Sequence, residues 1–521
     1  MSTVEAIAAW AAGLAPGDVP ADVLDVCRAQ RRSVLGAMAA STRDEAALRV
    51  GAAVGAWAAD GPAPLLGTDR RVRVEDALFQ AASLSIALDF DDYVWFGHTG
   101  HSAVLAPMLL AAETGSSGVE QVLAQLVASE VEARLGGACL IGPQNGQLWS
   151  FIHAAGTALA AGRLLGLVEG QLAHALAISL YQPPRATIPG FMAPDSKLLT
   201  AAEPMVSGLR AARLAAAGVT GPLDVLDHPR GFLAAFADAP LPGLLGGLGV
   251  GWATSTLSVK AYPGCAYVDT MADALCELGP PAADEVESVS VEASLPTCQM
   301  DALSSEYAAG GPTPVTVTFS VPWTAAVLLV GGRLTPEELQ RSWLSEHAGE
   351  LAAAAAKVSL RHDWGLTRPV MEQFGRVVPA ARLIGDAGAA RLAGALGAQR
   401  RHLTAARGTK GLGGFLPALR GSNRKGRFWD PVELAAFRNV FPAKVAVRLR
   451  DGRTLETRVD TPRGAAGHPS APPAVVAREK LLAWGPWLWG GDGTAAVDAA
   501  VERDDDRLWA MLSPADERAR A

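Results

Sequence analysis

Three carboxylates and two histidines lie within one short segment of the chain, DFDDYVWFGHTGHSAV, from Asp89 to Val104. Apolar runs typical of buried helices flank it, ALFQAASLSIAL before it and LAPMLLAA after it. Titratable groups between two buried helices are expected to face an interior cleft. There, low dielectric and neighbouring charges shift pKa values as acid–base chemistry requires. The alternative is an ordinary polar turn with solvated aspartates.

The elements that must position this segment are helical up to about residue 218. Apolar residues recur at helical spacing, and the abundant alanine favours helix and close helix packing. Examples are VLDVCRAQRRSVLGAMAAS, VEQVLAQLVASEVEARL and FIHAAGTALAAGRLLGL. The sequence therefore predicts a compact helical bundle around the titratable segment.

The pattern changes after Lys260, where strands are expected. VESVSVEASL (Val286–Leu295) and VTVTFSV (Val315–Val321) alternate as strands do, and AKVAVRLRDGRTLETRV predicts a hairpin with Asp451-Gly452 at its turn. WTAAVLLVGG and TPEELQRSWLSEHAGELAAAAAKVSL are interpreted as helical. This part of the chain is therefore expected to be a smaller α+β unit.

The fold class that follows is mainly α with an α+β part. We expect an all-helical domain over residues 1–258, an α+β domain inserted at 259–465, and a C-terminal segment, 466–521, that returns to the helical domain. A linker is expected at SAPPAV, followed by helix in REKLLAWGPWLW and DDDRLWAMLS. The Gly- and Arg-rich stretch from Met371 to Asp430 receives no assignment.

Composition excludes several classes of protein. With 521 residues, 50% hydrophobic and 19% charged, the chain suits large buried cores. A net charge of −8 argues against a nucleic-acid partner, and the basic cluster Arg420–Arg427 is interpreted as solvated. The longest uncharged stretch, Leu241–Val259, is a poor spanning helix, and no N-terminal signal peptide is recognised. We therefore expect a cytoplasmic protein with no membrane partner.

The five cysteines are scattered and contain no CxxC pair. No disulfide framework and no sulfur-based metal site are expected from them.

Three segments together resemble the MmgE/PrpD family, which includes 2-methylcitrate dehydratase, cis-aconitate decarboxylase and iminodisuccinate epimerase. They are DFDDYVWFGHTGHSAV, the stretch that begins APDSKLLTAAEP and continues through TGP to GF, and SVKAYPGCAYVDTMADAL. The resemblance spans nearly the whole chain. It implies a large helical domain, a smaller α+β lid domain, and a homodimer with the active site between the domains. It also implies catalysis without a metal or organic cofactor.

The resemblance carries catalytic roles onto particular residues. Asp89 matches the first aspartate of the family run, and Lys197 and Lys260 match two family lysines. Either His98 or His101 matches the active-site histidine; the turn differs in length from the family's, and we favour His101.

Three further positions are expected to bind substrate. Tyr93 falls where some members carry threonine, and Gln147 aligns with a second family histidine. Cys265 stands where some members carry histidine and others cysteine. His153, inside the following helix, is interpreted as a core residue.

The residue types suit proton transfer next to a carboxylate. Two ammonium groups can bind a small acid and stabilise enolate-like charge. A histidine of near-neutral pKa can move the proton, which contributes roughly 10²–10⁴-fold, and Asp89 can fix its tautomer. Each has a structural alternative: a surface lysine at Lys197, a domain-junction role for Lys260, or helix caps at Asp91 and Asp92.

The leading hypothesis is a cofactor-independent lyase, a dehydratase or decarboxylase, that acts on a small carboxylated substrate. An isomerase or epimerase using the same proton abstraction is the alternative, and a repurposed, non-catalytic member is another. A magnesium enzyme using Asp89, Asp91 and Asp92 on a diphosphate ranks lower, because no convincing second acidic cluster follows.

Overall fold

Helices dominate the computed structural model, which describes residues 1–143, 146–398 and 426–513. The α-helices are α1 (Thr3–Gly13), α2 (Ala21–Ala40), α3 (Glu45–Trp57), α4 (Val74–Ile86), α5 (Gly100–Thr114), α6 (Gly118–Ala138), α7 (Ser150–Leu164), α8 (Glu169–Tyr181), α9 (Ile188–Met192), α10 (Leu199–Ala216), α11 (Phe232–Phe236), α12 (Asp269–Glu277), α13 (Leu295–Ser305), α14 (Pro314–Phe319), α15 (Val321–Gly331), α16 (Arg341–Glu346), α17 (Ala348–Ala355), α18 (Trp364–Val377), α19 (Ala380–Ala387), α20 (Ala389–Ala398), α21 (Pro431–Ala435), α22 (Pro473–Trp484) and α23 (Pro486–Glu502). The strands are β1 (Asp60–Pro64), β2 (Arg71–Val72), β3 (Asp92–Val94), β4 (Leu257–Val259), β5 (Val286–Ala293), β6 (Val358–His362), β7 (Ala443–Leu449) and β8 (Thr454–Val459). The predicted fold class, mainly α with an α+β part, is confirmed.

The helical bundle is built around α7, which packs against α5, α6, α8 and α10. Small residues allow these helices to approach closely. At Gly208, on α10, an added Cβ would lie only 2.3 Å from the carbonyl oxygen of Ala154 on α7. The alanine and glycine content therefore determines the helix spacing around the candidate site.

A four-stranded sheet forms the α+β part, with the strand order β6-β5-β7-β8. The central strand β5 pairs parallel with β6 and antiparallel with β7, and α12 and α15 pack against the sheet. The predicted strand VESVSVEASL and the predicted hairpin are confirmed. Gly452 in the hairpin turn has φ +90°, a conformation that glycine adopts readily.

Two segments differ from the prediction. VTVTFSV was expected to be a strand, but it forms helix α14, because Thr313 caps the N-terminus and Pro314 occupies the first helical position. Conversely, Val358–Leu360 was assigned to the end of a helix but belongs to β6 (Val358–His362), which pairs with β5. In both places the local sequence preference was overridden by a cap or by an available neighbouring strand.

The C-terminal segment packs on the helical bundle, with α22 lying along α2. The linker predicted at SAPPAV is wrong in part, since α22 begins at Pro473 within it. The predicted terminal helix DDDRLWAMLS reduces to a 3-10 turn at Leu508–Leu512. The domain boundaries 1–258, 259–465 and 466–521 stay predictions.

Several remaining expectations concern limited parts of the chain. The unassigned stretch from Met371 to Asp430 contains the end of α18, all of α19 and α20, and a part outside the described residues. Most of the basic cluster, Arg420–Arg427, also lies outside them. The five cysteines are free thiols. Within the described ranges, no helix combines the length and apolar character needed to span a bilayer.

Candidate active site

A short pair of strands joins the two most informative segments of the sequence. β3 and β4 run antiparallel, with Asp92 opposite Val259. Beyond the paired residues, the backbone N–H of Lys260 donates to the Asp91 carbonyl oxygen at 3.2 Å. The aspartate-rich run therefore lies directly beside the KAYPGC segment, although about 170 residues separate them along the chain.

The aspartate run turns sharply where α4 ends. Asp89 has φ +55°, in the left-handed region, and its N–H donates to the carbonyl oxygen of Ile86 at 3.0 Å. Aspartate tolerates this region better than most residues. The turn brings the carboxylates of Asp89 and Asp91 to the same ammonium group, that of Lys260.

Lys260 is fully buried and holds this turn together. Its Nζ donates to the Asp89 carbonyl oxygen at 2.9 Å, to Asp89 Oδ1 at 3.1 Å and to Asp91 Oδ1 at 2.5 Å. Burial alone would lower the pKa of Lys260, but Asp89 and Asp91 raise it above its usual value. An ammonium group has three donors, and all three are used here. Lys260 is therefore committed to the aspartates.

Asp91 is the centre of the cluster. Its Oδ2 lies 2.7 Å from His98 Nδ1 and 3.1 Å from His101 Nε2, and Gln147 Nε2 donates to both its oxygens at 3.2 Å. Burial would raise the pKa of Asp91, but Lys260 and His98 hold it well below the usual range. Asp91 thus stays ionised, and its hydrogen bond to Nδ1 fixes the orientation of His98.

The two candidate histidines occupy different environments. The His98 side chain lines a cavity and is 13% exposed. Burial lowers the pKa of His98, so the neutral ring is favoured. His101 is buried, with its Nδ1 2.7 Å from Ser85 Oγ, and it does not contribute to the cavity wall. The geometry favours His98 as the proton-transfer group, whereas the sequence favoured His101.

Lys197 completes the cluster from a different element, the 3-10 turn Asp195–Leu198. Its side chain is fully buried, so it is not the surface lysine of the alternative interpretation. Nζ lies 3.5 Å from Asp89 Oδ1 and 4.8 Å from the centre of the Phe319 ring, and it has no hydrogen-bond partner. Burial lowers the pKa of Lys197, and Asp89 opposes that shift.

The three predicted substrate-binding residues, Tyr93, Gln147 and Cys265, all line the same cavity as Asp89 and His98. Burial raises the pKa of the Cys265 thiol to about 12, which suits a neutral wall residue and not a thiolate nucleophile. Burial also raises the pKa of Tyr93. The structure therefore brings all eight predicted site residues to the cavity wall or into the cluster directly behind it.

Sequence reasoning missed the central position of Asp91, which was considered only as a possible cap or turn residue or as a magnesium ligand. It also missed Lys480 on α22, whose Nζ donates to the carbonyl oxygen of Phe90 at 2.8 Å, behind the aspartate turn. His153 is buried as expected, with its Nδ1 2.7 Å from Ser102 Oγ. Only residue type pointed to Asp91, and no local signal pointed to Lys480.

The three aspartates of the run do not converge on one open point. Lys260 occupies the space between Asp89 and Asp91, and Asp92 turns away to accept a hydrogen bond from Gln30 Nε2 at 2.8 Å. Among the residues described, no group of three or more His, Cys, Asp or Glu side chains is arranged to hold a metal ion. The magnesium hypothesis thus lacks a matching arrangement of these aspartates.

Residues 5–244 match the family model described as the MmgE/PrpD N-terminal domain. This range contains the aspartate run, both candidate histidines and Lys197. No curated protein matches the chain.

Proposed function

We propose that the chain, whose residues 5–244 match the MmgE/PrpD N-terminal domain, is a lyase of that family, which is known for dehydratase-type activity. Its substrate is a small carboxylated molecule, and the reaction moves a proton at the carbon next to the carboxylate. The observation that carries this proposal is the Asp91–His98 pair at 2.7 Å, with His98 and Lys260 in the cavity wall and Lys197 buried next to Asp89.

His98 is the proton-transfer group in this proposal. The bond between its Nδ1 and Asp91 fixes the tautomer with a lone pair on Nε2, as a carboxylate does for an imidazole base. Because burial lowers its pKa, the ring is neutral near pH 7 and can accept a proton. The same ring, once protonated, can return the proton to a leaving group.

Lys197 is the group that stabilises the negative charge. Removing a proton next to a carboxylate places enolate-like charge on the carboxylate oxygens, and a nearby cation lowers that barrier. Lys260 has no donor left, whereas the Lys197 ammonium has no hydrogen-bond partner. The two lysines therefore have different roles. Lys260 binds the aspartates, and Lys197 stabilises the charge on the substrate carboxylate.

Deuterium exchange with solvent tests the proposal. Incubation of a substrate acid in D₂O should place deuterium at the carbon next to the carboxylate, together with loss of water or CO₂. His98→Asn should reduce both by about 10²–10⁴-fold while leaving the melting temperature unchanged. Exchange without loss of water or CO₂ would favour the isomerase alternative. Full activity in His98→Asn would contradict the role of this residue.

A further inference from the structure

The cavity beside His98 is too small for the proposed substrate. Its volume is about 40 Å³. One buried water needs roughly 10–15 Å³, so the cavity has room for about three waters. A molecule with a carboxylate, the carbon next to it and a leaving group has more non-hydrogen atoms than three waters. Part of the cavity wall must therefore move before the substrate can bind.

Lys197 lies behind this wall. Among the described residues, Lys197 is not one of those that line the cavity, whereas Phe191 and Phe319 are. Its Nζ lies 4.8 Å from the centre of the Phe319 ring and 5.6 Å from the centre of the Phe191 ring. The substrate carboxylate can thus reach the ammonium group only when one of these rings moves aside.

The ring of Phe319 is on the more firmly held side. It belongs to α14, which is hydrogen-bonded to two neighbouring segments. The Cys265 N–H donates to the Thr318 carbonyl oxygen at 2.8 Å, and Ser304 Oγ donates to the Phe319 carbonyl oxygen at 3.1 Å. Movement of this ring with its helix would break bonds on both sides.

Phe191 belongs to a segment whose hydrogen bonds are internal. In the ranges that the structure describes, residues 187–194 form hydrogen bonds only within 187–197. Phe191 N–H donates to the Thr187 carbonyl oxygen at 3.1 Å, and Ser196 Oγ donates to the Gly190 carbonyl oxygen at 2.6 Å. The segment can therefore shift as a unit without losing hydrogen bonds to its surroundings.

Hydrogen bonds hold both ends of this segment. Before it, Ser150 Oγ donates to the Pro184 carbonyl oxygen and accepts from the Ala186 N–H, both at 3.1 Å.

After it, the Asp195 carboxylate forms ion pairs with Arg49 on α3 and Arg341 on α16. Lys197 follows this fixed point by two residues. Movement of residues 187–194 therefore leaves the ammonium group in its place.

A second cavity gives the Phe191 ring room to move. Its volume is about 280 Å³, and Phe191 lines both cavities. The second cavity exceeds the roughly 150 Å³ that holds a benzene molecule in an engineered protein. It is open to solvent, because the exposed residues Arg185, Thr187 and Glu203 line it.

We propose that residues 187–194 form a gate. Movement of Phe191 into the second cavity enlarges the cavity beside His98 and uncovers the Lys197 ammonium group for the substrate carboxylate. This inference rests on the proposed function and adds how the substrate reaches Lys197.

A reversible cross-link across the gate tests this inference. A Cβ atom added at Gly190 would lie 3.6 Å from Ser196 Oγ, and the two Cβ atoms of a disulfide are about 3.5–4.5 Å apart. The variant Gly190→Cys/Ser196→Cys should therefore form a disulfide that ties α9 to the turn held by Asp195. Reduction of the same protein releases the gate and is the matched control.

The thiol of Cys265 reports the opening, because it lines the cavity beside His98. N-ethylmaleimide should label Cys265 about tenfold more slowly in the oxidised variant than in the wild-type protein. Cys139, buried at the end of α6, should be labelled equally in both. Peptide mass spectrometry measures both rates. Equal labelling of Cys265 in the two proteins would overturn the gate.

Removal of the ring is a second test, which does not depend on forming the disulfide. Phe191→Ala should raise the rate of Cys265 labelling by about tenfold and leave that of Cys139 unchanged. Phe191→Leu is used if the alanine variant does not fold. Unchanged labelling of Cys265 in the folded variant would show that Phe191 does not close the cavity, which would also overturn the gate.

Labelling and turnover together distinguish this inference from the proposed function. Turnover of the acid identified by deuterium exchange should fall about tenfold in the oxidised variant and recover on reduction. Slower labelling without turnover of any carboxylic acid by the wild-type protein would uphold the gate and overturn the lyase. Slower labelling with unchanged turnover would uphold the lyase and overturn the gate as the path of the substrate.

Discussion

Two buried lysines contact the aspartate run, and they differ in their partners and in the direction of their pKa shifts. Lys260 faces the cavity side, where two carboxylates and a carbonyl oxygen accept its three hydrogen bonds. Lys480 lies behind the run, between α2 and α22, where it donates to the Phe90 carbonyl oxygen at 2.8 Å and to Ser33 Oγ at 3.2 Å. No carboxylate lies within ion-pair distance of Lys480 in the described structure.

The groups that surround each lysine determine whether its ammonium group stays charged. Asp89 and Asp91 raise the pKa of Lys260, although burial opposes them. Burial lowers the pKa of Lys480 to about 7, and the more distant Asp91 and Asp92 offset it only in part. Burial of a lysine therefore does not by itself indicate an ion-pair cluster. What distinguishes the candidate active site is the convergence of carboxylates on one ammonium group.

The sharpest test of this comparison removes each ammonium group in turn. Lys260→Met leaves Asp89 and Asp91 buried beside each other without the cation that they share, so we expect a loss of about 3–5 kcal/mol in the free energy of unfolding. Urea denaturation of the variant and the wild-type protein measures this loss. Activity should fall below detection, because Lys260 no longer stabilises the turn that holds Asp91 against His98.

The matched control is Lys480→Met, which keeps the packing of α2 against α22. It leaves only the Phe90 carbonyl oxygen and the Ser33 hydroxyl group without a donor, at a cost of about 1–3 kcal/mol. A loss as large as that of Lys260→Met would mean that Lys480 is part of an ion-pair network. The contrast between the two lysines would then be wrong.

The next effect concerns the two histidines that share Asp91. His98→Asn should reduce turnover by about 10²–10⁴-fold with little change in stability, because His98 is at the cavity wall. His101→Asn should mainly reduce stability, because His101 is buried against Ser85 and Asp91. Turnover and urea denaturation of both variants measure the two effects. The reverse pattern would restore the assignment favoured from the sequence.

The sequence predicted part of this site, and there are physical reasons for what it predicted and what it missed. The cluster of titratable groups between apolar runs correctly indicated a buried site, because charged groups flanked by buried helices must enter the interior together. The family resemblance also identified Asp89, Lys197 and Lys260 for the cluster. These features depend on local sequence and on the family resemblance.

Features that depend on tertiary pairing were not predictable. The roles of Asp91 and Lys480 arise from the β3–β4 pairing and from the packing of α22 on α2, which leave no local signal. The same limit explains the wrong strand at Val315–Val321 and the missed strand at Val358–His362. A strand needs a neighbour, and the sequence of one segment does not show whether a neighbour is available.

A smaller effect is expected at Lys197, whose ammonium group lacks hydrogen-bond partners. Lys197→Met should weaken binding of a carboxylate ligand by about 10- to 100-fold, the contribution of one hydrogen bond to a charged group. Stability should change less than in Lys260→Met, since Asp89 keeps its bonds to Lys260. Calorimetry with the carboxylate substrate or its product measures the affinity. Unchanged affinity would show that the carboxylate lies elsewhere.

The last expected effect is a change in the pH dependence of stability. Folding lowers the pKa of Lys480 from 10.5 to about 7. Between these values the unfolded chain binds the proton and the folded protein does not, so the free energy of unfolding rises with pH. Lys480→Met removes this contribution, and its destabilisation relative to wild type should therefore grow from about pH 7 towards 10.5. Asp92, whose pKa burial raises from 3.8 to about 6, titrates below this window, and Lys197 is present in both proteins.

Urea denaturation of both proteins across the window measures the difference. A constant difference would mean that Lys480 keeps its charge in the fold, and the contrast with Lys260 would then rest on geometry alone.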